Sequence, residues 1–557
     1  MSTTADAAAP LDALLTEAAT GPLRRFVPDG STARFALGLA RHPRSTARRL
    51  GGTAAELGRI VAGSSAITPS RRDRRFADPG WTENPLLRRL VQAYLAAGET
   101  AGQLVGDAEL GWRDEQRTRF FVDNLVEALA PSNVPLVNPA SAKAAIDTGG
   151  LSLLRGGRNL ARDLASPPRV PQMVDTSSFE VGRNVAATPG AVVLRTEVLE
   201  LIQYAPQTDA VREVPLLLVP PTINKYYVLD LAPDRSLIES LVRAGQQVFI
   251  VSWRNPDARH AAWGLESYVG AVLSALEAVE RITGSPRTAL MGICSGGIIS
   301  AIAAAHLAAT GAQHRLAAFA LAVSVIDNER AGTPNAVLDP KVAAAATAVS
   351  KRRGYLDGRN LAEVFAWLRP GDLIWNYWVN NYLLGKAPPA FDILFWNSDT
   401  TRMTAQLHAD FVDLAMANSL VRPGGLTVLG TPIDLSRVDL DAYVVAGVAD
   451  HITPWENCYR TTGLLGGDTR FVLSTSGHIA ALVNPTSNPK AVFQTNKSNP
   501  PDAQEWLRTA ESEAGSWWPD FAAWLGERCG ADRPARDPGG GGLSPIVEAP
   551  GTYVFDT

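Results

Sequence analysis

The spacing of hydrophobic positions along the sequence changes near residue 181. Before it, apolar side chains recur at the three- and four-residue spacing of amphipathic helices, as they do after Asn84-Pro85, a typical helix start. After it, helical patterns alternate with short, continuously apolar runs: PLLLVP (215–220), VFIVSW (248–253), ALMGI (289–293), AAFALAV (317–323), YVVAGV (443–448) and RFVL (470–473). Continuous apolar strands separated by helices indicate a mostly parallel sheet covered on both faces.

The same two hydrophobic patterns predict the domain organisation. We expect a mostly helical N-terminal domain over residues 1–180 and an α/β domain over residues 181–535. The strand–helix alternation is interrupted at about residues 328–425 by a segment rich in Trp, Tyr and Phe, which predicts a mobile cap inserted between two core strands. Residues 536–557 contain a run of four glycines and are predicted to form a flexible tail.

Composition narrows the class of protein. The chain has 557 residues, of which 46% are hydrophobic and 19% charged, and this excludes disorder along the whole chain. The formal charge of −4 argues against a nucleic-acid partner. Three cysteines are too few for a disulfide framework, so we expect a reducing, cytoplasmic location. The longest apolar stretch, 296–309, is too short to span a bilayer, so no transmembrane segment is predicted.

The sharpest chemical signal is GICSGG (292–297), which lies between a predicted strand and a predicted helix. It has the G-x-nucleophile-x-G form of the nucleophile elbow of the α/β-hydrolase fold, with Cys294 at the position of the nucleophile. Ser295 is a rival nucleophile, but a motif centred on Ser295 would place Ile293 where the first glycine belongs. The alternative without chemistry is a buried core cysteine.

A thiol nucleophile needs a base, and the base needs an acid that orients it. In this fold, the chain order is nucleophile, acid, histidine. Asp450 follows the strand-like run 443–448, and His478 follows the run 470–473, so both are expected at carboxyl ends of strands. His451 is a competing base, but it lies beside the acid in the sequence. Asp441 precedes its strand and is interpreted as a turn residue.

An oxyanion hole is expected to combine the backbone N–H of Ser295 with one from the loop at 220–225 (PPTINK), which follows the first apolar run. Prolines have no N–H, which leaves Thr222, Ile223 or Asn224, and we favour Ile223. The alternative is a rigid structural turn. Lys225 in this loop is interpreted either as a contact for an anionic ligand or as a solvated side chain.

No sequence motif for a metal or a nucleotide is found. C-x-x-C, H-E-x-x-H and G-x-x-x-x-G-K-[ST] are absent, and no G-x-G-x-x-G follows a predicted strand. The sequence therefore predicts neither a metal nor a bound cofactor.

Eight stretches carry a family resemblance: RRFADPGW (74–81), PPTINKYYVLDL (220–231), FIVSWRNP (249–256), GICSGG (292–297), FDILFWNSDTTRM (391–403), GVADHITPW (447–455), SGHIAALVNP (476–485) and EAPGTYV (548–554). In these stretches the chain resembles the polyhydroxyalkanoate synthases, which polymerise 3-hydroxyacyl-CoA thioesters into storage polyester. The loop sequence that starts at 220 and the cap segments resemble the single-subunit class that acts on medium-length acyl chains.

The resemblance implies roles for the candidate residues. Cys294 would carry the growing acyl chain, His478 would deprotonate it, and Asp450 would orient His478 or help to activate the incoming 3-hydroxyl group. The substrate would be an (R)-3-hydroxyacyl-CoA, and coenzyme A would be part of the substrate and the leaving group rather than a cofactor. The family also implies a homodimer that works on the growing polyester at the surface of cytoplasmic polymer granules.

Two other function classes remain open at this stage. An acyl-CoA thioesterase or a polyester depolymerase would use the same three residues and release an acid instead of a polymer. A non-catalytic granule-coat or scaffold protein is the third class, but such a protein has no reason to keep a complete Cys–His–Asp set.

Overall fold

The computed structural model describes residues 30–165, 167–329, 340–450 and 452–557, together with Ala18. These residues form two compact units. The helical unit holds residues 30–175 and 359–390, and the α/β unit holds residues 176–358 and 391–557. The insertion predicted over 328–425 is therefore not one cap, because its residues 359–390 belong to the helical unit.

The α-helices of the described residues are α1 (Gly30–Arg41), α2 (Pro43–Ala62), α3 (Gly80–Glu83), α4 (Pro85–Asp107), α5 (Trp112–Ala128), α6 (Pro139–Asp147), α7 (Leu151–Leu164), α8 (Leu237–Arg243), α9 (Leu265–Thr283), α10 (Ser295–Ala309), α11 (Pro340–Arg353), α12 (Gly358–Leu368), α13 (Asp392–Ser398), α14 (Ala405–Ala417), α15 (Trp455–Arg460), α16 (His478–Leu482), α17 (Ala503–Thr509) and α18 (Trp518–Gly526). Two π-helical segments span Gly371–Trp375 and Trp378–Leu383. In the part of the chain that the structure describes, no helix has the length and apolarity to cross a membrane.

The strands are β1 (Gly190–Arg195), β2 (Leu199–Tyr204), β3 (Ala210–Arg212), β4 (Leu216–Val219), β5 (Val248–Trp253), β6 (Thr288–Ile293), β7 (Leu316–Ala322), β8 (Tyr355–Leu356), β9 (Met403–Thr404), β10 (Thr427–Val428), β11 (Thr431–Pro432), β12 (Ala442–Gly447), β13 (Thr469–Ser474), β14 (Val492–Thr495), β15 (Glu511–Ala514), β16 (Asp532–Pro534) and β17 (Val547–Glu548).

The helical unit begins its longest helix where the sequence predicts it. The Asn84 side chain accepts hydrogen bonds from the N–H groups of Leu86 and Leu87, so it caps α4 and satisfies two donors that lack partners inside the helix. Within the same unit, α7 lies against the second π-helical segment. A Cβ atom at Gly156 would stand 1.8 Å from the Tyr382 carbonyl oxygen, so this close approach requires glycine.

The α/β unit contains an 11-stranded sheet in the order β15-β14-β13-β12-β7-β6-β4-β5-β2-β1-β17. The six inner strands β5, β4, β6, β7, β12 and β13 are parallel, and each corresponds to one of the six apolar runs in the sequence. The prediction of an α/β-hydrolase fold is confirmed. The outer strands β2, β1, β17, β14 and β15 were not predicted; they are paired antiparallel on either side of the parallel strands.

The parallel strands bring the candidate residues to one edge of the sheet. The loop at 220–225 follows β4, Cys294 follows β6, Asp450 follows β12 and His478 follows β13. Because the carboxyl ends of parallel strands share one edge, all four features lie where ligands bind in open α/β sheets.

The prediction of a flexible tail over 536–557 is wrong. Strand β17 pairs with β1, and the side chains of Tyr553 and Val554 are buried. The glycine run is not a linker either. Gly540 and Gly541 have positive φ angles, and a Cβ atom at Gly541 would lie 2.0 Å from the Arg281 carbonyl oxygen. These glycines therefore let the chain pass close to the end of α9.

Candidate active site

Cys294 occupies a sharp turn between β6 and α10. Its φ of 52° and ψ of −121° lie in a region that residues with a side chain rarely adopt. Three hydrogen bonds hold this turn: the Cys294 N–H donates to the Ala322 carbonyl at 2.9 Å, and the Cys294 carbonyl accepts from the Gly297 N–H at 2.9 Å and from the Ser324 hydroxyl at 3.1 Å. The geometry is that of a nucleophile elbow, which points its side chain away from the sheet edge.

The three glycines of the motif are required by space. A Cβ atom at Gly292 would lie 2.6 Å from the Cα of Gly297, and one at Gly297 would lie 2.0 Å from the Ser324 hydroxyl oxygen. A Cβ atom at Gly296 would lie 2.3 Å from the Pro220 carbonyl oxygen. The elbow can therefore contact both the next strand and the loop after β4 only if these positions lack side chains.

Ser295, the rival nucleophile, is completely buried. Its hydroxyl oxygen accepts a hydrogen bond from the Thr222 N–H at 2.9 Å and lies 3.2 Å from the Thr222 hydroxyl. This side chain therefore ties the elbow to the loop at 220–225 instead of facing a substrate. The bond also removes the Thr222 N–H from the candidates for the oxyanion hole.

The structure places Asp450 and His478 in direct contact. Nδ1 of His478 lies 2.7 Å from Oδ2 of Asp450, and both side chains are buried. The other carboxylate oxygen of Asp450 accepts the N–H groups of Ile452 at 2.8 Å and Thr453 at 2.9 Å. The Thr453 hydroxyl donates to Oδ2 of Asp450 at 2.5 Å. Asp450 is thus fixed by donors from its own loop and aligned with the imidazole.

Burial and charge act in opposite directions on this pair. Burial disfavours the charged imidazole, but the charge of Asp450 and hydrogen bonds with Asp450 and Cys294 outweigh it and raise the pKa of His478 to about 10. Burial likewise opposes the charged form of Asp450, yet the charge of His478 and the hydrogen bonds from His478 and Thr453 lower the pKa of Asp450. The resting pair is therefore an imidazolium next to a carboxylate, with the Cys294 sulfur as the other neighbour of the imidazole.

The competing candidates differ in position. Asp441 lies before β12, at the opposite end of that strand from Asp450, and forms an ion pair with Arg528 at 2.8 Å. His451 lies outside the described residues. The cysteines Cys458 and Cys529 have no exposed surface, and burial is the main cause that raises the pKa of each thiol, for Cys529 to about 11.

Two backbone N–H groups, one in the elbow and one in the loop at 220–225, have no acceptor among the described residues. Among the residues that the structure describes, no acceptor receives the backbone N–H of Ser295 or of Ile223. Ser295 is the first residue of α10, where N–H groups lack acceptors inside the helix. The bond between Thr222 and Ser295 brings the neighbouring Ile223 to the same place. These two N–H groups are the donors that the sequence analysis favoured for an oxyanion hole.

A small apolar cavity of about 20 Å³ lies against the Cys294 side chain. Its lining combines the elbow, the segment after β7 and the inserted helix α14, through Cys294, Ile298, Val325, Asn328, Phe411, Leu414, Ala415 and Thr453. Ligand pockets for molecules of acyl-CoA size measure about 300–1,000 Å³, so α14 closes the nucleophile off. The aromatic residues 367–382 that the sequence analysis assigned to this cover belong to the helical unit instead.

The sequence analysis did not predict the contacts of three residues that shape the site. Thr453 fixes Asp450, Ser324 holds the Cys294 carbonyl, and Thr222 binds Ser295. Thr453 had a usable signal, because an Asp followed three residues later by Thr is typical of a turn in which the carboxylate accepts backbone N–H groups. Ser324 had no signal, since its partner is distant in the sequence, and Thr222 was considered only as a candidate donor to the oxyanion.

Two family models match the sequence. The model described as "Poly-beta-hydroxybutyrate polymerase (PhaC) N-terminus" matches residues 72–241, and the model described as "alpha/beta hydrolase fold" matches residues 215–485. The first match covers helices α3–α7 and the beginning of the sheet. The second contains the elbow, Asp450 and His478.

Whole proteins also match. Poly(3-hydroxyalkanoate) polymerase 2 of Ectopseudomonas oleovorans is 47% identical, over 92% of this chain and 92% of the relative. Poly(3-hydroxyalkanoate) polymerase 1 of the same organism is 46% identical, over 94% of both chains. The poly(3-hydroxyalkanoate) polymerase subunit PhaC of Cupriavidus necator is 40% identical, over 89% of this chain and 85% of the relative. The likeness therefore extends over nearly the full length of each protein.

Proposed function

Because this chain belongs to the poly(3-hydroxyalkanoate) polymerase family, we propose that Cys294 carries the growing polyester as a thioester, with His478 as the proton carrier and Asp450 as its orienting acid. The protein is an acyltransferase that polymerises hydroxyalkanoate units into polyester. The observation that carries the proposal is the 2.7 Å contact between His478 Nδ1 and Asp450 Oδ2 beside the Cys294 elbow.

Loading begins from a thiolate and an imidazolium. The Cys294 sulfur attacks the thioester carbonyl carbon of an (R)-3-hydroxyacyl-CoA, and a new carbon–sulfur bond forms. The bond from that carbon to the sulfur of coenzyme A breaks, and His478 gives its proton to the departing thiolate. The imidazolium favoured by Asp450 is the protonation state that this step needs.

Elongation reverses the proton transfer. The 3-hydroxyl oxygen of an incoming 3-hydroxyacyl-CoA attacks the carbonyl carbon of the acyl group on Cys294, and its proton passes to the neutral His478. The carbon–sulfur bond to Cys294 breaks, so the thiolate and the imidazolium are regenerated. The lengthened CoA ester then reloads onto Cys294 with release of coenzyme A.

In both steps a negative charge develops on the carbonyl oxygen that is attacked, and hydrogen-bond donors are needed to stabilise it. We assign this role to the N–H groups of Ser295 and Ile223, which have no acceptor among the described residues. The position of Ser295 at the start of α10 supports the assignment, because the positive end of the helix dipole also faces a developing negative charge.

A single cysteine is sufficient for this cycle. Cys458 and Cys529 are fully buried, whereas Cys294 has 8% of its surface exposed and faces the cavity. The cycle uses no metal or bound cofactor, since coenzyme A arrives as part of the substrate. A dry site protects the acyl-enzyme from water, and the apolar side chains of α14 supply that cover.

The finer cellular assignments rest on family membership and on one surface. We assign the enzyme to the surface of cytoplasmic polymer granules, as a homodimer. Helix α7 supports a role at such a surface, because Leu151 and Leu154 are 57% and 72% exposed and lie beside the exposed Arg155 and Arg158. Replacement of Leu154 with Asp should lower the fraction of enzyme that sediments with granules while leaving turnover of short substrates unchanged.

Product analysis tests the function. Purified enzyme is incubated with a series of (R)-3-hydroxyacyl-CoA substrates whose acyl chains have from about 4 to about 12 carbons, that is, short to medium chain lengths. Insoluble polyester together with free coenzyme A is the expected result. Free hydroxy acid without polymer would instead identify a thioesterase, and release of hydroxy acid from added polyester would identify a depolymerase.

A further inference from the structure

The EAPGTYV stretch (548–554) and the residues after it have no part in the triad, yet they are firmly attached to the α/β unit. Oε2 of Glu200, a completely buried carboxylate on β2, accepts the N–H groups of Thr552 at 2.8 Å and Tyr553 at 3.0 Å. The Tyr553 hydroxyl donates to the Thr196 carbonyl at 2.6 Å, and the Arg254 guanidinium lies 4.3 Å from the centre of the Tyr553 ring. These contacts fix the direction of residues 552–557.

The end of this segment meets Lys225. The Lys225 ammonium donates to the Asp556 carbonyl oxygen at 2.5 Å, and the Asn255 amide donates to the same oxygen at 3.2 Å. Only 3% of Lys225 is exposed. Burial lowers the pKa of Lys225, against the charges of Asp399 and Asp556. A buried ammonium needs partners of this kind, so Lys225 is neither a solvated side chain nor a free contact for an anion.

Lys225 ends the loop at 220–225, which carries Ile223. The rest of this loop is held by indole and hydroxyl donors. Trp253 Nε1 donates to the Pro220 carbonyl at 3.0 Å, Trp396 Nε1 donates to the Lys225 carbonyl at 2.7 Å, and the Thr401 hydroxyl donates to the Thr222 carbonyl at 3.3 Å. The Lys225 side chain is the connection between this loop and residues 552–557.

We propose that residues 552–557 position the oxyanion loop through Lys225, which makes Lys225 a positioning residue for acyl transfer. The inference rests on the proposed function, because it takes the Ile223 N–H as a donor to the oxyanion. Such a donor works only at about 2.7–3.1 Å from the oxyanion, so a small shift of the loop weakens catalysis. The acceptor on Asp556 is a backbone carbonyl, which makes the position of the segment, rather than its side chains, the important feature.

The first test is Lys225→Met, which keeps the length and apolar stem of the side chain and removes its donor. We expect kcat for polymerisation to fall about 10- to 100-fold, while KM changes less than about threefold. This fall in kcat should not exceed the one caused by removing an oxyanion donor completely. Alkylation of Cys294 by iodoacetamide should keep its wild-type rate, because displacement of iodide by the thiolate forms no oxyanion. Peptide mass spectrometry reports this alkylation at Cys294 separately from the buried cysteines.

Three further variants sharpen the test. Lys225→Gln retains a donor and should restore part of the lost kcat. Lys490→Met, at an exposed lysine of the same unit, should leave both rates unchanged. Removal of residues 556 and 557 takes away the acceptor and should reproduce the loss, and its combination with Lys225→Met should cause no further loss. This deletion also serves if Lys225→Met does not accumulate as folded protein.

The outcomes separate this inference from the proposed function. Wild-type kcat in both Lys225→Met and the deletion variant would overturn the positioning role and leave the Cys294 mechanism intact. A parallel fall of acylation and alkylation in Lys225→Met would also overturn it, since the damage would then lie at the thiolate. Full polymerisation by Cys294→Ala would instead overturn the proposed function itself.

Discussion

Oδ2 of Asp450 lies 2.7 Å from Nδ1 of His478, although the two residues are 28 positions apart in the sequence and follow two neighbouring parallel strands. The contact fixes Nδ1 as the nitrogen that faces the carboxylate, which leaves Nε2 for the Cys294 sulfur and the substrate. The hydrogen bond with Cys294 that contributes to the raised pKa of His478 agrees with this orientation. His478 thus has Asp450 on one side and Cys294 as its other neighbour.

Replacement of Asp450 with Asn tests the orienting role. An amide carries no charge and can hold the wrong tautomer, so kcat should fall on the order of 10³- to 10⁴-fold. Only the contacts with Cys294 would then oppose the effect of burial on His478, so its pKa should drop well below about 10. Nuclear magnetic resonance of the labelled imidazole ring measures the titration. A His478 pKa that stays near 10 in Asp450→Asn would contradict the electrostatic account.

The raised pKa of His478 also predicts how stability depends on pH. The folded protein holds this proton up to about pH 10, whereas the unfolded chain releases it near the ordinary pKa of about 6.5. The contribution of the pair to stability is therefore complete below about pH 6.5 and declines as pH rises towards 10. The comparison variant is Asp450→Asn/His478→Gln, in which neither position titrates.

This pH dependence is tested by measuring the unfolding temperatures of the wild type and the double variant from about pH 6 to about pH 10. These limits lie near the pKa of His478 in the unfolded chain and in the folded protein. The advantage of the wild type over the double variant should be largest at the acidic end and smallest at the alkaline end. An advantage that grows with pH would reverse the predicted sign.

The parallel strands of the sheet were predictable from the sequence, and the antiparallel strands on either side of them were not. Fully buried strands such as β5 and β6 leave continuous apolar runs, because both faces of the sheet are covered. Edge strands such as β15, whose residues are all exposed, leave no such pattern. The tail was mispredicted because glycine runs are common both in linkers and where a chain passes close to a helix end, as Gly541 does.

A glycine pair tests the packing of the elbow. A Cβ atom at Gly296 would lie 2.3 Å from the Pro220 carbonyl oxygen and 2.4 Å from that of Val219. Gly296→Ala must therefore move backbone atoms, and we expect at least a tenfold loss of activity together with a lower unfolding temperature. At Gly270 in α9, a Cβ atom meets nothing within 4 Å. Gly270→Ala should thus stabilise the protein by about 0.5–1 kcal/mol and preserve activity.

Thermal and denaturant unfolding, together with polymerisation rates, check both alanine variants. If Gly296→Ala and Gly270→Ala had equal effects on activity and stability, the close approach at Gly296 would not matter for function.

We expect access to the nucleophile to require movement of α14. The cavity at Cys294 measures about 20 Å³ and is lined by Phe411, Leu414 and Ala415 of that helix. A helix that opens during turnover loses packing repeatedly, so its amides should exchange hydrogen faster than those of β6 and β7. A slowly reacting acyl-CoA analogue should change the exchange of 405–417 and leave the two strands unaffected. If the amides of α14 exchange as slowly as those of the two strands, and the analogue does not change their rate, the segment is a rigid subdomain.

The chemistry of the site was predictable to a different depth at each residue. Cys294, Asp450 and His478 follow from local motifs and chain order, and the structure brings Asp450 into contact with His478. Lys225 was ambiguous, because its partner, the Asp556 carbonyl, is 331 residues away and carries no sequence signal. Long-range backbone acceptors of this kind depend on where distant segments of the chain are placed, and only the folded structure supplies that information.

The covalent intermediate on Cys294 is the central claim, and rapid quenching tests it most directly. The enzyme is mixed with radiolabelled (R)-3-hydroxyacyl-CoA, quenched in acid within its first turnovers and digested for mass spectrometry of the three cysteine peptides. We expect hydroxyacyl units on Cys294, first single and then as a lengthening series, with the same labelling in Cys458→Ala and Cys529→Ala and none in Cys294→Ala. Label on Cys458 or Cys529 in the wild type, or labelling that persists in Cys294→Ala, would contradict the account.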